Sequence, residues 1–435
     1  MTDKTNYERL TAVAARQAID AGGLTATRLL EACLERIDTR EKDIRAWTFL
    51  DAAGARKRAA QLDAQPARGL LHGIPLGIKD IIDSSDMPTS YGSPIYARHR
   101  PQWDGAALAL SRAAGGVILG KTVTTEFANR HAGPTRNPVD IRHTPGGSSS
   151  GSAAAVADFH IPLAIGTQTG GSVIRPAAYC GVCGFKPSFQ IISNAGVKTN
   201  TEALDTVGMI ARSVEDLGLF NAVLTGTPYV PVTPATLAGR TIAVCRTPYW
   251  DRAAGESQRA LEHTREVLSA ARVKVIDLEP PAFFNGLEDA HRQICAFESV
   301  RNYADELSRF RDRVSDDFIN QRVAPGEQTT LEMFRAAIRL GERCRHWLDN
   351  RLAQDGIDAL LTPSAQGEAP RGIAFTGNVV FNFLWTFLQV PAITLPHFTG
   401  PNKMPVGIQL VGRKYADGHL LNLAAAIANL LTQQD

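Results

Sequence analysis

One lysine and two serines are the residues through which this chain could do chemistry. Lys79 stands in the apolar, glycine-flanked run Gly73-Ile74-Pro75-Leu76-Gly77-Ile78-Lys79-Asp80. Ser148 and Ser172 lie 24 residues apart in two glycine-rich segments, Gly146-Gly147-Ser148-Ser149-Ser150-Gly151-Ser152 and Gly166-Thr167-Gln168-Thr169-Gly170-Gly171-Ser172-Val173-Ile174-Arg175-Pro176. An exposed lysine titrates near ~10.4 and is protonated at neutral pH, but burial disfavours the charge and turns the amine into a base. A serine hydroxyl is a weak nucleophile until a neighbouring base takes its proton. Together these residues point to a nucleophilic serine served by a neutral lysine rather than a histidine. The run Thr169-Gly170-Gly171-Ser172 is either a tight strand-to-helix turn with no ligand or a second requirement of acyl chemistry. Consecutive glycines let several backbone N–H groups converge on one point, as a tetrahedral oxyanion needs.

Other motifs carry less. Gly115 to Thr122 satisfies G-x-x-x-x-G-K-T, but its four middle residues read as strand and a helix precedes them, so a phosphate loop is not expected. The block 146–152 could be a flexible linker by composition, yet it is short and opens directly into the helical run Ala153 to Ala157. The histidines show neither H-x-x-H nor H-E-x-x-H spacing, and no G-x-S-x-G elbow is present. Cys180 and Cys183 have no second pair nearby and read as two small buried thiols, so no metal and no cofactor is expected.

The elements that must position these residues follow from 435 residues, 44% apolar, with 37 glycines and 24 prolines. Helical periodicity through Leu29, Leu30, Cys33, Leu34 and Ile37 follows a Thr25 cap. Short strands are expected at 74–82, 116–119, 163–165, 241–245, 273–278, 359–361, 392–395 and 407–411. Helices are expected at 105–114, 257–271 and 419–431, and residues 280–355 read as a charged helical cap broken at Pro325-Gly326. Such alternation implies one α/β domain around a large mixed sheet. Its parts are N-terminal helices (1–65), a core (66–225), a variable helical region (226–355) and a return to the sheet (356–435). The net charge of +2 argues against nucleic acid or an anionic membrane as partner. The apolar stretch 379–395 is interrupted by Asn382, Gln389 and Pro391 and reads as core. The N-terminus lacks the apolar core of a signal peptide, and six sparse cysteines suit a reducing cytosol.

With these motifs in order, the chain resembles the amidase signature enzymes, hydrolases of carboxamide bonds. The likeness rests on 73–80, on Gly-Gly-Ser-Ser-Ser-Gly-Ser, and on 166–176 running into Cys180-Gly-Val-Cys-Gly-Phe-Lys-Pro-Ser188. Val390-Pro-Ala-Ile-Thr-Leu-Pro396 and Pro405 to Arg413 extend it. The resemblance implies a twisted mixed sheet covered by helices on both faces. It implies Lys79 as general base, Ser148 as bridging serine behind a cis Gly147–Ser148 peptide, and Ser172 as acylated nucleophile. The oxyanion donors would be the amides of Thr169, Gly170, Gly171 and Ser172. Many members carry aspartate where this chain has Gln168. Arg175 resembles the arginine that meets a substrate carboxylate in malonamidase-type small amidases; the alternative is a structural arginine bound to loop carbonyls or to Glu126. Ser149, Thr167 and Gln168 are further candidate substrate contacts, and Phe127, Trp385 and the 280–355 helices candidate pocket walls. The expected partner is a small-molecule amide, with a homodimer compatible. Alternatives are an aryl-acylamidase, a carbamate-cleaving hydrolase, or one component of an amidotransferase working with partner chains.

Overall fold

In the computed structural model, which describes residues 6–433, each reactive segment emerges from the middle of one sheet. Its eleven strands are β1 (Trp47–Leu50), β2 (Pro75–Lys79), β3 (Val117–Thr122), β4 (Leu163–Gln168), β5 (Cys183–Lys186), β6 (Thr206–Ala211), β7 (Thr241–Val244), β8 (Lys274–Asp277), β9 (Ala359–Pro363), β10 (Ala392–Thr399) and β11 (Pro405–Val411). They lie in the order β1-β3-β2-β4-β6-β5-β10-β11-β9-β7-β8. β2 runs parallel to both β3 and β4, and β7 parallel to β8 and β9, while the remaining pairs are antiparallel. The result is a single-domain α/β fold with a mixed sheet flanked by helices.

Burial explains why the central strands read as unbroken apolar runs. Every residue of β2, β3 and β4 is buried, as expected where helices cover both faces of parallel strands. The helix Ala26–Ile44 starts at Thr25, whose hydroxyl accepts from the Arg28 N–H, and it buries Leu29, Leu30, Cys33, Leu34 and Ile37. β1, β5 and β6 were not expected from the sequence, and β1 interrupts the N-terminal stretch read as helical. The strands expected at 241–245 and 273–278 are β7 and β8, which complete one end of the sheet. Pro325 does not break the helical run: it opens the helix Ala324–Gln328, where its missing N–H removes no hydrogen bond. The six cysteines are free and buried. No helix among the described residues is long and apolar enough to cross a membrane.

The G-x-x-x-x-G-K-T segment is strand β3. Lys121 lies inside it with its ammonium directed to the Ile82 carbonyl (2.7 Å), Thr89 Oγ1 (2.6 Å) and Asp80 (3.0 Å). Burial pulls its pKa below the ordinary lysine value, against the pull of Asp80. Lys121 therefore closes the carboxyl ends of β2 and β3 and is not available to a phosphate. Lys121→Ala should strand the buried Asp80 carboxylate and cost about 3–5 kcal/mol in chemical denaturation. ATP should not shift the midpoint of the wild-type chain.

Candidate active site

Lys79 is the last residue of β2, so its side chain leaves the sheet at the carboxyl end of a central parallel strand, where open α/β sheets bind ligands. It is 0% exposed. Nζ lies 2.7 Å from Ser148 Oγ, 2.8 Å from Thr167 Oγ1 and 3.4 Å from the Thr167 carbonyl oxygen. A neutral amine has two hydrogens and one lone pair. Both hydrogens find acceptors on Thr167, leaving the lone pair to take the Ser148 hydroxyl proton. Burial lowers the Lys79 pKa to about 7, although the carboxylate of Asp205 pulls the other way.

Ser148 follows a cis Gly147–Ser148 peptide bond, and Ser149 donates its N–H to the Ser172 carbonyl at 3.3 Å, which ties the two serine segments together. Ser172 is 8% exposed and lines a cavity of about 110 Å³.

The loop before Ser172 is built to present N–H groups. In a trans peptide the C=O and the following N–H point in opposite directions, so anchoring one aims the other. The Thr169 carbonyl accepts from His291 Nε2 (3.1 Å), the Gly170 carbonyl from Thr386 Oγ1 (2.9 Å), and the Gly171 carbonyl from the Arg175 N–H (2.9 Å). Three successive peptide planes are thereby fixed, and the N–H groups of Gly170, Gly171 and Ser172 face away from these anchors. Among the described residues none of the three meets an acceptor. Gly171 has no room for a side chain, because a Cβ there would lie 2.6 Å from Asn382 Oδ1.

Supporting groups come from distant parts of the chain. Asp205, one residue before β6, accepts from the Thr169 hydroxyl and from the N–H groups of Asn200 (2.7 Å) and Thr201 (3.0 Å). Burial raises its pKa, while these donors and Lys79 oppose the rise. Gln168 uses both ends of its amide. Oε1 accepts from the Val173 (2.9 Å) and Ile174 (3.0 Å) N–H groups at the start of the helix Ile174–Cys180, and Nε2 donates to Thr386 Oγ1 (3.0 Å).

Several expected contacts are placed elsewhere. Ser149, Thr167 and Gln168 do not line the cavity; their side chains bond inside the protein, Ser149 to the Thr167 backbone. Phe127 packs on Tyr303 and Phe318, and Trp385 lies in the core. Arg175 is 3% exposed and lines the cavity. One amino group reaches the Gly147 carbonyl at 2.6 Å, while Nε and Nη1 have no partner among the described residues. Burial lowers its pKa to about 10. Glu126 does not pair with it, being bonded to the Ser93 hydroxyl and the Ser315 N–H. His291, Thr386 and Asp205 were not anticipated from the sequence. The one available signal was Asp205, a carboxylate at the edge of a buried apolar strand.

The family model described as Amidase matches residues 28–421. The chain belongs to the amidase family. It is 30% identical to a glutamyl-tRNA(Gln) amidotransferase component from Roseiflexus castenholzii, over 97% of this chain and 96% of that one. It superposes on a crystal structure of an amidase with a TM-score of 0.87 at 29% identity, covering 98% and 100% of the two chains. A chain from a vestigial complex tied to the evolutionary origins of an s-triazine catabolic enzyme, solved with inhibitor bound, gives 0.88 at 25% identity, covering 98% of each chain.

The anchoring of peptide planes in this amidase is open to direct measurement. Thr386→Val should free the Gly170 carbonyl and lower kcat about tenfold (~1.4 kcal/mol) with little change in KM. That is less than the ~2.7–4 kcal/mol lost when a direct oxyanion donor is removed. Thr386→Ser should restore most of the rate.

Proposed function

We propose that this amidase cleaves a small carboxamide through an acyl-enzyme on Ser172, with Ser148 and Lys79 as its proton relay. The observation that carries the reading is the buried Lys79 amine 2.7 Å from Ser148 Oγ. Ser172 Oγ attacks the carbonyl carbon of the bound substrate. Its proton passes to Ser148, whose own proton moves to Nζ of Lys79. The carbonyl π electrons become an oxyanion facing the N–H groups of Gly170, Gly171 and Ser172, with the Thr169 amide beside them. Collapse breaks the C–N bond, and the relay returns its proton to the departing nitrogen, which leaves as neutral amine or ammonia. Water then attacks the ester, again losing its proton through Ser148 to Lys79. Collapse releases the acid and restores the Ser172 hydroxyl.

The acyl portion carries a carboxylate that meets Arg175, which lines the cavity and keeps two donor atoms without a partner among the described residues. On this reading the substrate belongs among half-amides of dicarboxylic acids. The amidotransferase relative favours a second reading, in which the same acyl chemistry delivers ammonia to a partner. Ammonia release from simple amides by the purified chain alone supports the hydrolase. Every residue of the relay comes from one chain, so a homodimer, if formed, is not needed for it. Six free thiols agree with a reducing cytosol as its setting.

Because the base must be neutral, kcat/KM should rise with pH through an apparent pKa near 7 and level off above it. Lys79→Ala should lose the rate by at least ~10²-fold, the lower range for general-base catalysis. Ser172→Ala should form no adduct with a serine-directed fluorophosphonate, and mass spectrometry of an adduct on that variant would refute the assignment. Arg175→Gln should abolish any preference for malonamate over the neutral propionamide, measured as a ratio of kcat/KM.

A further inference from the structure

The cavity above Ser172 holds more positive charge than Arg175 supplies. Its lining includes Arg130, Arg292 and Arg322, and the one carboxylate among its lining residues is Glu288. These arginines come from separate elements. Arg130 follows the turn Glu126–Ala128, Arg292 lies on the helix Leu287–Asn302, and Arg322 lies on the π-helical turn Ile319–Val323. Such convergence is not a by-product of one charged helix face.

The acids nearby are already engaged. Glu288 is held by Arg252 at 2.9 Å from outside the cavity lining, with Arg292 at 3.8 Å. Asp317 faces His131 at 3.3 Å, and Arg292 pairs with Asp289 at 3.0 Å. Arg130 has no carboxylate partner among the described residues, and Arg322 reaches only the Gln321 carbonyl at 3.4 Å, with Nε unpartnered. Burial lowers the Arg130 pKa first, Arg322 and Arg292 lower it further, and Asp317 and Glu288 oppose them from a distance; burial and then Arg130 lower that of Arg175, so these cations repel one another across the cavity. Two buried amides complete the wall. Neither side-chain polar atom of Asn129 has a partner among the described residues, and Asn200 Nδ2 is likewise free. Arginines that repel across a cavity, beside idle amide donors, are arranged for an anion that is not part of the chain.

We infer that this cavity holds a second anion subsite, in which Arg130 and Arg322 grip a carboxylate of the substrate other than the one at Arg175. Asn129 and Asn200 supply neutral hydrogen bonds to the same end. The inference rests on the amidase reading and narrows its substrate class to amides carrying two anionic groups. A planar guanidinium pair suits a carboxylate held by parallel N–H···O bonds. Phe375, half exposed at the cavity edge, offers an apolar surface for the carbon chain between the two charges.

The test separates binding from turnover. Isothermal titration of full-length Ser172→Ala protein is run with propane-1,2,3-tricarboxylate, glutarate and butyramide. The same titrations follow on Ser172→Ala combined with Arg130→Gln and Arg322→Gln, with circular dichroism confirming that the combined variant is folded. The tricarboxylate should bind at least tenfold more tightly than glutarate, weaken with added salt, and lose that advantage in the combined variant. Equal affinities for the two anions, or an advantage that survives both arginine substitutions, would overturn the subsite. Arg130→Lys with Arg322→Lys keeps the charge in a folded background and should recover part of the affinity; no recovery beyond the glutamine pair would also count against it. Failure of the amidase reading shows separately, as absence of ammonia release and of a Ser172 adduct on the wild-type chain.

Discussion

An amine deprived of water is the interaction on which the rest of the site depends. Removing Lys79 from solvent raises the free energy of its ammonium form, and that cost brings the pKa to about 7 against the opposing pull of Asp205. A carboxylate hydrogen-bonded to the amine would undo the effect by fixing a charged pair. The nearest acid identified as acting on it, Asp205, is instead saturated by the Thr169 hydroxyl and two backbone N–H groups. It acts on Lys79 only through space. The partners Nζ does have are neutral oxygens, two on Thr167 and one on Ser148, which a free amine satisfies as well as an ammonium does.

The sheet is what makes this arrangement possible in space. β2 and β4 are parallel neighbours, with Ile78 opposite Ile165, so their carboxyl ends open together and bring Lys79 beside Thr167. β6 runs antiparallel to β4 with Thr206 opposite Gln168, which delivers Asp205 to Thr169. The helices of 280–355 then close the other side, contributing His291 to the Thr169 carbonyl and Arg292 and Arg322 to the cavity lining. The nucleophile loop is held by a sheet, a neighbouring strand and a helical layer at once. None of these could be replaced by local loop geometry.

What was legible in the sequence follows from this geometry. Lys79 stood out because a single cation in an apolar run is a local anomaly, and Ser148 and Ser172 because glycine tracts mark unusual backbone. Central strands were found where apolar runs were bounded by turns, and the helix Ala26–Ile44 where periodicity and cap agreed. β1 and β5 escaped because each is only four residues long, and β6 because Gly208 interrupts its apolar run. Thr167 and Gln168 were assigned to substrate because they neighbour the reactive loop, yet consecutive strand residues face opposite sides of a sheet. One turned to Lys79 and the other to a helix start. Arg130, His291, Arg322 and Thr386 gave no local signal at all, since their meaning lies in partners brought together from distant parts of the chain.

Gln168 shows how a departure from the family pattern can be absorbed. An aspartate there would accept the Val173 and Ile174 N–H groups just as the glutamine oxygen does, and its charge would suit a helix N-terminus. It would have no hydrogen to offer Thr386. In this chain the amide nitrogen donates to Thr386 Oγ1, which leaves the threonine hydroxyl hydrogen directed at the Gly170 carbonyl. Orientation therefore passes from the helix start, through one neutral amide and one hydroxyl, to the peptide plane that aims the Gly171 N–H. Neutrality matters as much as reach. A carboxylate at this position would add negative charge close to the point where the oxyanion forms, whereas the amide fixes the same backbone without opposing it.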